Sequence, residues 1–574
     1  MSVSPFRIAL IVDGEYISAW QYLMLERLLA SPHAVLVVVI FRQSVATTLS
    51  QRLNAVLLKV LHALDGRFFS CKPTAQTPTS FLPLLGDVGC YAHGSKRYQT
   101  FVSTQRVDVA IELTGQAVLP EMVASTTHGV WRHFYGNPVH WWDDYTNIRE
   151  YARRQDEIVS GVVRYMAGQA AADCVFYATT STDKVSINRG VERTLWKMAD
   201  FIPQRLHELA TVGEALFQRN MRERVLARPL SSQDAVAPGL ITTCRIALRY
   251  PSNFLRKLYK FLFRQEQWIL LTTSHGNVTE LGLLENFHKW IPPRDRFWAD
   301  PFVVEQAGEQ YIFFEELIYA RGIGHLACVR LQPDGSHTEP VKILEKPYHL
   351  SYPFVFKHQG QYYLIPETAG NHTVEVYRCE EFPHRWVFEK NLMESVEAYD
   401  ATLQEYDGRW WMFVSMRSHQ SCSPNEALYL FHADDPLSTQ WQAHPQNPVV
   451  ASAAQARPAG RMFTDAEQLY RPSQNCAGVY GRGLNLNRIT QLDQECYREE
   501  VVSSYLPDGD FDMNGMHTLG IGRGLSVSDA VYIHRRLGRL DHWIGKLSGF
   551  IDQLVWKHCY VLMVLPLTFL WLDM

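Results

Sequence analysis

Apolar and polar positions along the chain fall into two regimes. RIALIVD over residues 7–13 is a continuous apolar run that breaks at Gly14; AWQYLMLERLLA follows with helical spacing, and AVLVVVIF occupies 34–41. Strand, helix and strand in that order predict a βαβ unit around a buried parallel sheet. VDVAIEL at 107–113 predicts a further strand of the same sheet. A doubly wound sheet of this kind places ligands at the carboxyl ends of its strands.

In the second half the period shortens to two and the pattern repeats. Asp300-Pro301-Phe302-Val303 leads through a glycine turn to Tyr311-Ile312-Phe313-Phe314-Glu315. Tyr352-Pro353-Phe354-Val355 leads through HQGQ to Tyr363-Leu364-Ile365-Pro366-Glu367, and Asp400-Ala401-Thr402-Leu403 leads through YDGRW to Trp411-Met412-Phe413-Val414-Ser415. Pro301, Pro353 and Ala401 each stand 14 residues before the end of the second run, and they lie 52 and 48 residues apart. Looser copies begin near Arg461 and His517. Alternating strands joined by D-G and Q-G turns are hairpins. Sheets that cannot bury both faces alone stack around an axis, so the repeat predicts an all-β five-bladed propeller.

These patterns divide the chain into an α/β domain over 1–215, a helical basic linker over 216–280, the propeller over 281–534 and a tail over 535–574. The linker's NFLRKLYKFLFRQEQW interleaves Arg256, Lys257, Lys260 and Arg264 with aromatic and leucine side chains. The tail sets Leu537, Leu540, Ile544, Leu547, Ile551 and Leu554 at helical spacing beside Arg535, Arg536, Arg539 and Lys546. Each can lie on an anionic membrane or pack against the protein. The apolar run over 560–572 contains Pro566 and is shorter than the ~20 residues that span a bilayer.

Composition narrows the chemistry. Lys plus Arg 55 against Asp plus Glu 59 gives a net charge of −4, so no basic field points to nucleic acid. Fifteen Trp, 27 Tyr and 28 Phe supply rings that suit both β-sheets and sugar-binding clefts. The ten cysteines never approach a C-x-x-C spacing, so neither a zinc site nor a disulfide framework is expected. MSVSPFRIALIVDG lacks the charged start and long apolar core of a secretory signal. A cytoplasmic location is expected, with peripheral attachment to the inner face of a membrane if the tail is interfacial.

The front segment carries Gly129-Val130-Trp131-Arg132-His133 and, later, Asp173 in AADCVFYATT. On these it resembles the formyltransferase family that acts on methionyl-tRNA and sugar nucleotides. The resemblance implies a Rossmann-type, formyltransferase-like α/β fold with formyl-tetrahydrofolate as cofactor. It also implies His133 as proton shuttle and Asp173 as its orienting carboxylate. Trp131 replaces the family's Asn, which removes an oxyanion-stabilising amide. The expectation is therefore an inherited scaffold without formyl transfer and with no certain cofactor.

WADPF at the first repeat resembles the opening blade of five-bladed glycosidases such as arabinanases, β-xylosidases and invertases. More closely, WADPF, SYPFVF, IPE, YDATL, YRPSQN-x-x-x-x-YG and MHT resemble the N-terminal region of plant glucosamine inositolphosphorylceramide transferases and their bacterial relatives. Those relatives join a formyltransferase-like front to such a propeller. The plant proteins carry a separate glycosyltransferase domain beyond it, and none is expected within the 574 residues here, so sugar transfer is not implied by the plant enzymes' name alone.

Propeller geometry brings the starts of the innermost strands to the axis: Asp300, Ser351-Tyr352, Asp400, Arg461 and His517. Glycosidic chemistry needs two carboxyls, and Asp300 and Asp400 in register are the expected acid/base pair. Glu367 closes the strand after Tyr352 and is a third candidate acid; Glu315 holds the same place one repeat earlier. Arg461 suits bidentate binding of a phosphate or carboxylate. His517 suits orientation of a carboxylate or the holding of a central ion, while Tyr352, Arg471, Gln474 and Tyr480 suit contact with a sugar. The expected function is glycosyl transfer in assembly of a surface or lipid-linked glycan, with a glycan or sugar nucleotide as partner. Formyl transfer to an amino sugar, glycoside hydrolysis and non-catalytic glycan binding stay open.

Overall fold

The apolar runs near the start pair as their pattern predicts: Phe6–Val12 lies parallel between Ala34–Phe41 and Val109–Glu112. A computed structural model describes residues 4–43, 49–136, 150–225 apart from 152, 154 and 170, 264–273, 287–507 and 513–535. The front sheet has seven strands, in the spatial order Gly89–Ala92, Ala34–Phe41, Phe6–Val12, Val109–Glu112, Val130–Tyr135, Glu157–Tyr165 and Asp173–Ser181. The first five are parallel and the last two antiparallel, so the sheet is mixed. The chain moves outward from Phe6–Val12 and then returns to its other side, which reverses the strand order between Phe6–Val12 and Val109–Glu112.

Successive residues of a strand face opposite sides, and both sides of this sheet are covered. Ile8, Leu10 and Val12 pack against the helix Ala19–Ala30 through Trp20, Met24 and Leu28. Ala9 and Ile11 pack against Tyr98, Phe101 and Met122 of the helices Lys96–Thr104 and Pro120–Ser125. The front unit runs on to Val225, the end of the helix Phe201–Val225, past the expected boundary at 215.

Five four-stranded antiparallel sheets follow. Blade I begins with Arg296–Gln306, blade II with Ser351–His358 and blade III with Ala398–Tyr406. Blade IV begins with Phe463–Asp465 and continues through Gln468–Asn475. Blade V is shared by two distant segments: Leu519–Gly522 and Leu525–Arg535 pair onward to Arg264–Thr273 and His288–Trp290. The linker expected over 216–280 is therefore corrected. Residues 201–225 are helical on either side of a kink at Gly213, and 264–273 form a propeller strand whose Leu270 and Leu271 are fully buried. The basic stretch before Arg264 and the tail after Arg535 lie outside the described residues.

Apolar clusters run unbroken around the ring. Phe302, Phe354 and Leu403 join blades I, II and III, and Phe413 and Met462 join III and IV. Leu484 and Leu519 join IV and V, and Val527 and Val303 close V onto I. Among the described residues no helix is long and apolar enough to cross a membrane.

Candidate active site

The inner strands of three blades carry the same irregularity. Asp300, Tyr352 and Asp400 have φ of 52°, 48° and 56°. At each, the register with the second strand slips: between Ala299 and Phe302, Ser351 and Phe354, and Tyr399 and Thr402. A bulge of this kind bends the strand and re-aims one side chain. Left-handed backbone at a non-glycine costs ~1–3 kcal/mol and persists only where its surroundings hold it. Asp tolerates it better than most. At Tyr352 the hydroxyl is held by Thr402 Oγ1 and the Gly460 N–H, both at 2.8 Å.

These three side chains reach across blades, which places them at the axis. Asp300 accepts from Thr518 Oγ1 of blade V at 2.6 Å and from the Tyr352 N–H of blade II at 3.2 Å. Asp400 accepts from Arg457 Nε at 2.6 Å, Arg457 Nη2 at 3.1 Å and Gln474 Nε2 at 3.1 Å, all from the blade IV side. Arg457 also donates to Asn425 Oδ1 at 2.6 Å and lies over the rings of Tyr399 and Tyr480. Asp529 takes the backbone N–H groups of Asp300, His517 and Thr518 at 2.9, 2.9 and 3.0 Å. His517 Nδ1 lies 2.5 Å from Asp529, and its ring stacks on Trp268 at 4.0 Å. Among the described residues Asp300, His517 and Asp529 form the one cluster with metal-ligand spacing.

Burial sets the protonation of the floor. Desolvation pushes the Asp300 carboxyl up to about 7; His517 opposes the rise, and Asp400 and Asp529 add to it. Desolvation and the charge of Asp400 likewise raise Glu367 to about 7. Glu367 accepts from the Ala369 N–H at 3.0 Å and Ser351 Oγ at 3.4 Å. Burial works against charging His517, but Asp529 and Asp300 outweigh it and bring the imidazole up to about 9. The floor therefore combines two carboxyls near neutrality, a charged imidazole and an Arg–Asp pair.

Asp300, Asp400, Tyr352, Gln474 and His517 converge on this floor, with Glu367 at the end of the neighbouring strand. Two expectations are corrected. Arg461 does not join the acids of the floor: its guanidinium donates to the Val355 carbonyl and lies over Phe354, both on the inner strand of blade II. Arg457 meets Asp400 there instead, and Arg457-Pro458 repeats the pattern of Asp300-Pro301 and Tyr352-Pro353. Arg471 pairs within blade IV with Glu499, at 2.6 and 2.7 Å through Nη2 and Nε, and does not reach Asp300 or Asp400; its Nη1 is buried without a hydrogen-bond partner. Asp529 was missed by sequence reasoning; its one signal is a lone acid in the apolar strand SVSDAVYI.

In the front unit, His133 and Asp173 do not meet. His133 Nε2 donates to the Met198 carbonyl at 3.1 Å, and Asp173 lies 3.5 Å from Arg164. The expected dyad fails because His133 is opposite Val162 in the sheet, while Asp173 is opposite Arg164 on the next strand. The front unit nevertheless adjoins the funnel. Glu426 accepts from the Ser181 N–H at 3.0 Å and pairs with Lys197 at 3.1 Å. Arg482 and Lys184 pair with Asp156, each at 2.5 Å. The propeller loops concerned follow the second strands Arg409–Met416 and Gln468–Asn475, whose ends lie level with the starts of the inner strands.

Residues 291–517 match the family described as Glucosamine inositolphosphorylceramide transferase 1, N-terminal. The rice (Oryza sativa subsp. japonica) glucosamine inositolphosphorylceramide transferase 1 is 36% identical over 210 residues, which is 36% of this chain and 28% of the rice protein. The Arabidopsis thaliana protein of the same name is 32% identical over 209 residues, 36% of this chain and 27% of its own. The chain thus matches little more than a quarter of the length of these relatives. Among solved structures, a family 117 glycoside hydrolase from Zobellia galactanivorans aligns over 41% of this chain and 85% of its own, at 14% identity and a TM-score of 0.30. The β-xylosidase RS223 aligns over 37% and 80%, at 12% identity and a TM-score of 0.29.

Proposed function

We propose that this chain is a carbohydrate-active enzyme that transfers a glycosyl unit in its propeller funnel, with a lipid-linked or surface glycan as acceptor. One observation carries the reading: Asp300 is buried among Thr518, His517 and the blade II inner strand, Glu367 closes the strand paired with Ser351, and desolvation raises both carboxyls to about 7. Glycosidic chemistry needs one carboxyl to pass a proton to or from the bridging oxygen and another to stabilise or attack the sugar ring. A carboxyl with an ordinary pKa is almost fully ionised at pH 7 and is a poor proton donor. Near 7 both forms are populated.

In this reading the acid/base work falls to Asp300 and Glu367. Asp400 is a positioning residue: its oxygens are occupied by Arg457 and Gln474, and its charge raises both working acids. Tyr399 and Tyr480 flank Arg457 and offer aromatic edges to a sugar. The relatives' name supplies the first substrates to try, a glucosamine-type sugar nucleotide and inositolphosphorylceramide. The full chain, given labelled sugar nucleotide and lipid acceptor, should form glycolipid. Asp300→Asn and Glu367→Gln should each slow it about a hundredfold or more, with the melting temperature within a few degrees of wild type. Unchanged rates in both variants would remove catalysis from the funnel, and release of free sugar without lipid product would make the enzyme a hydrolase.

A further inference from the structure

The helix Leu49–Phe69 of the front unit carries an apolar row on the side away from its packing. Its inner side is fixed by named contacts. Leu61 is buried in the core, and Asp65 accepts from Ser186 Oγ at 2.6 Å and from the Ile187 and Asn188 N–H groups, both at 3.0 Å. Asn188 also donates to the His62 carbonyl at 3.0 Å. These contacts clamp the helix to Ile187–Met198 and turn its other side outward. Val56, Val60 and Leu64 stand there on successive turns and are 60%, 50% and 43% exposed. Residues four apart share a helix face, so the three form a continuous row. Among the described residues none of the three joins an apolar cluster. Phe68, exposed as well, extends the row by one more turn. Single exposed apolar side chains are ordinary, whereas a contiguous set marks a contact surface.

Charge says what this surface meets. Over residues 56–70 the basic side chains Lys59 and Arg67 are exposed beside the row, and the sole acid, Asp65, is buried on the inner side. The face is therefore positive and carries no exposed acid, in a chain whose net charge is −4. A second copy of the chain seated on the row would bring like charges together, which disfavours it. An anionic lipid surface matches both parts of the pattern. Its headgroups attract the two cations, and its acyl boundary takes up the apolar row. The aliphatic stems of Lys and Arg can lie along apolar neighbours while their charges stay at headgroup level.

We infer that this face of the helix Leu49–Phe69 is a docking surface for an anionic membrane. Val56, Val60 and Leu64 enter the interface, and Lys59 and Arg67 meet the headgroups. The helix lies in the plane of the lipid surface and does not cross it. This inference concerns attachment rather than the chemistry of the funnel, and it stands whether or not the funnel is catalytic.

Co-sedimentation of the full chain with phosphatidylcholine vesicles, made with and without phosphatidylglycerol, would test it. The chain should bind the anionic vesicles, bind the neutral ones far less, and be released as salt rises. Val56→Ser combined with Val60→Ser should weaken binding about tenfold or more by removing apolar area from the interface. Lys59→Glu combined with Arg67→Glu should weaken it by about the same factor through charge. Both pairs change exposed side chains, so the melting temperature should stay close to that of wild type. No binding to anionic vesicles overturns the proposal. So does equal binding by wild type and both paired variants, which would locate attachment elsewhere, as in the basic and apolar tail after Arg535. A concentration-dependent dimer that Val56→Ser with Val60→Ser dissolves would give the face to a second copy, and would overturn it as well.

Discussion

At the scale of single residues, Asp300 is the most constrained group in the funnel. It is buried, left-handed in φ, and hydrogen-bonded through its backbone and both carboxyl oxygens. Its raised pKa has a consequence for folding that can be measured apart from catalysis. In the unfolded chain an Asp ionises near 4, whereas in the fold Asp300 keeps its proton until about 7. Between those values the native state binds more protons, so stability from this group is present below pH 4 and is lost as pH rises to 7. Asp300→Asn has no such titration. Its melting temperature relative to wild type should therefore rise between pH 4 and 7 and level off above. A difference that is flat across that window would show that Asp300 titrates normally, and the case for it as a proton carrier at neutral pH would go with it.

At the scale of elements, the bulged inner strand is the device that builds the site. The 52- and 48-residue spacings reveal blades I to III because their strands, turns and acids recur in register. Blade IV was misjudged by four residues, Arg461 for Arg457, because its inner strand is reduced to Phe463–Asp465 and a single bridge from Pro458 to Ser473. With no long alternating run to anchor it, the register had to be read from Arg457-Pro458 alone. The partners of Asp400 were hidden for another reason: Arg457 and Gln474 meet it from blade IV, and Asn425 holds Arg457 from a loop, which no local pattern encodes. Blade V was invisible from sequence in half its strands, since Arg264–Thr273 precedes the other four blades. Gly460 shows how tightly the inner strands pass one another. Its φ is 121°, its N–H donates to Tyr352, and a Cβ there would run into the Leu519 carbonyl of blade V. Gly460→Ala should lower stability by at least ~2–3 kcal/mol, combining backbone strain with overpacking. Denaturant unfolding would detect it, and a loss below 1 kcal/mol would mean that blades IV and V can separate freely.

At the scale of the whole molecule, one peptide links the front unit to the funnel floor. Glu426 faces the front unit, taking the Ser181 N–H and Lys197 Nζ, while its neighbour Asn425 takes Arg457, the partner of Asp400. Lys197 also donates to the Thr179 carbonyl at 2.8 Å and the Glu426 carbonyl at 3.2 Å. The pair is buried, with side chains 8% and 2% exposed, so each charge depends on the other. Removing one partner of such a pair leaves an uncompensated charge and costs ~3–5 kcal/mol, whereas removing both is often close to neutral. Lys197→Met should therefore destabilise the protein by that order, and adding Glu426→Gln should recover most of the loss. The catalytic readout separates this link from simple stability. Assayed well below its melting temperature, Lys197→Met should lower kcat roughly tenfold while KM changes little, because Arg457 loses the fixed position of Asn425 and Asp400 loses that of Arg457. The double variant should regain part of that rate. If kcat is unchanged in Lys197→Met while stability falls, the front unit is attached to the propeller without setting the geometry of its floor.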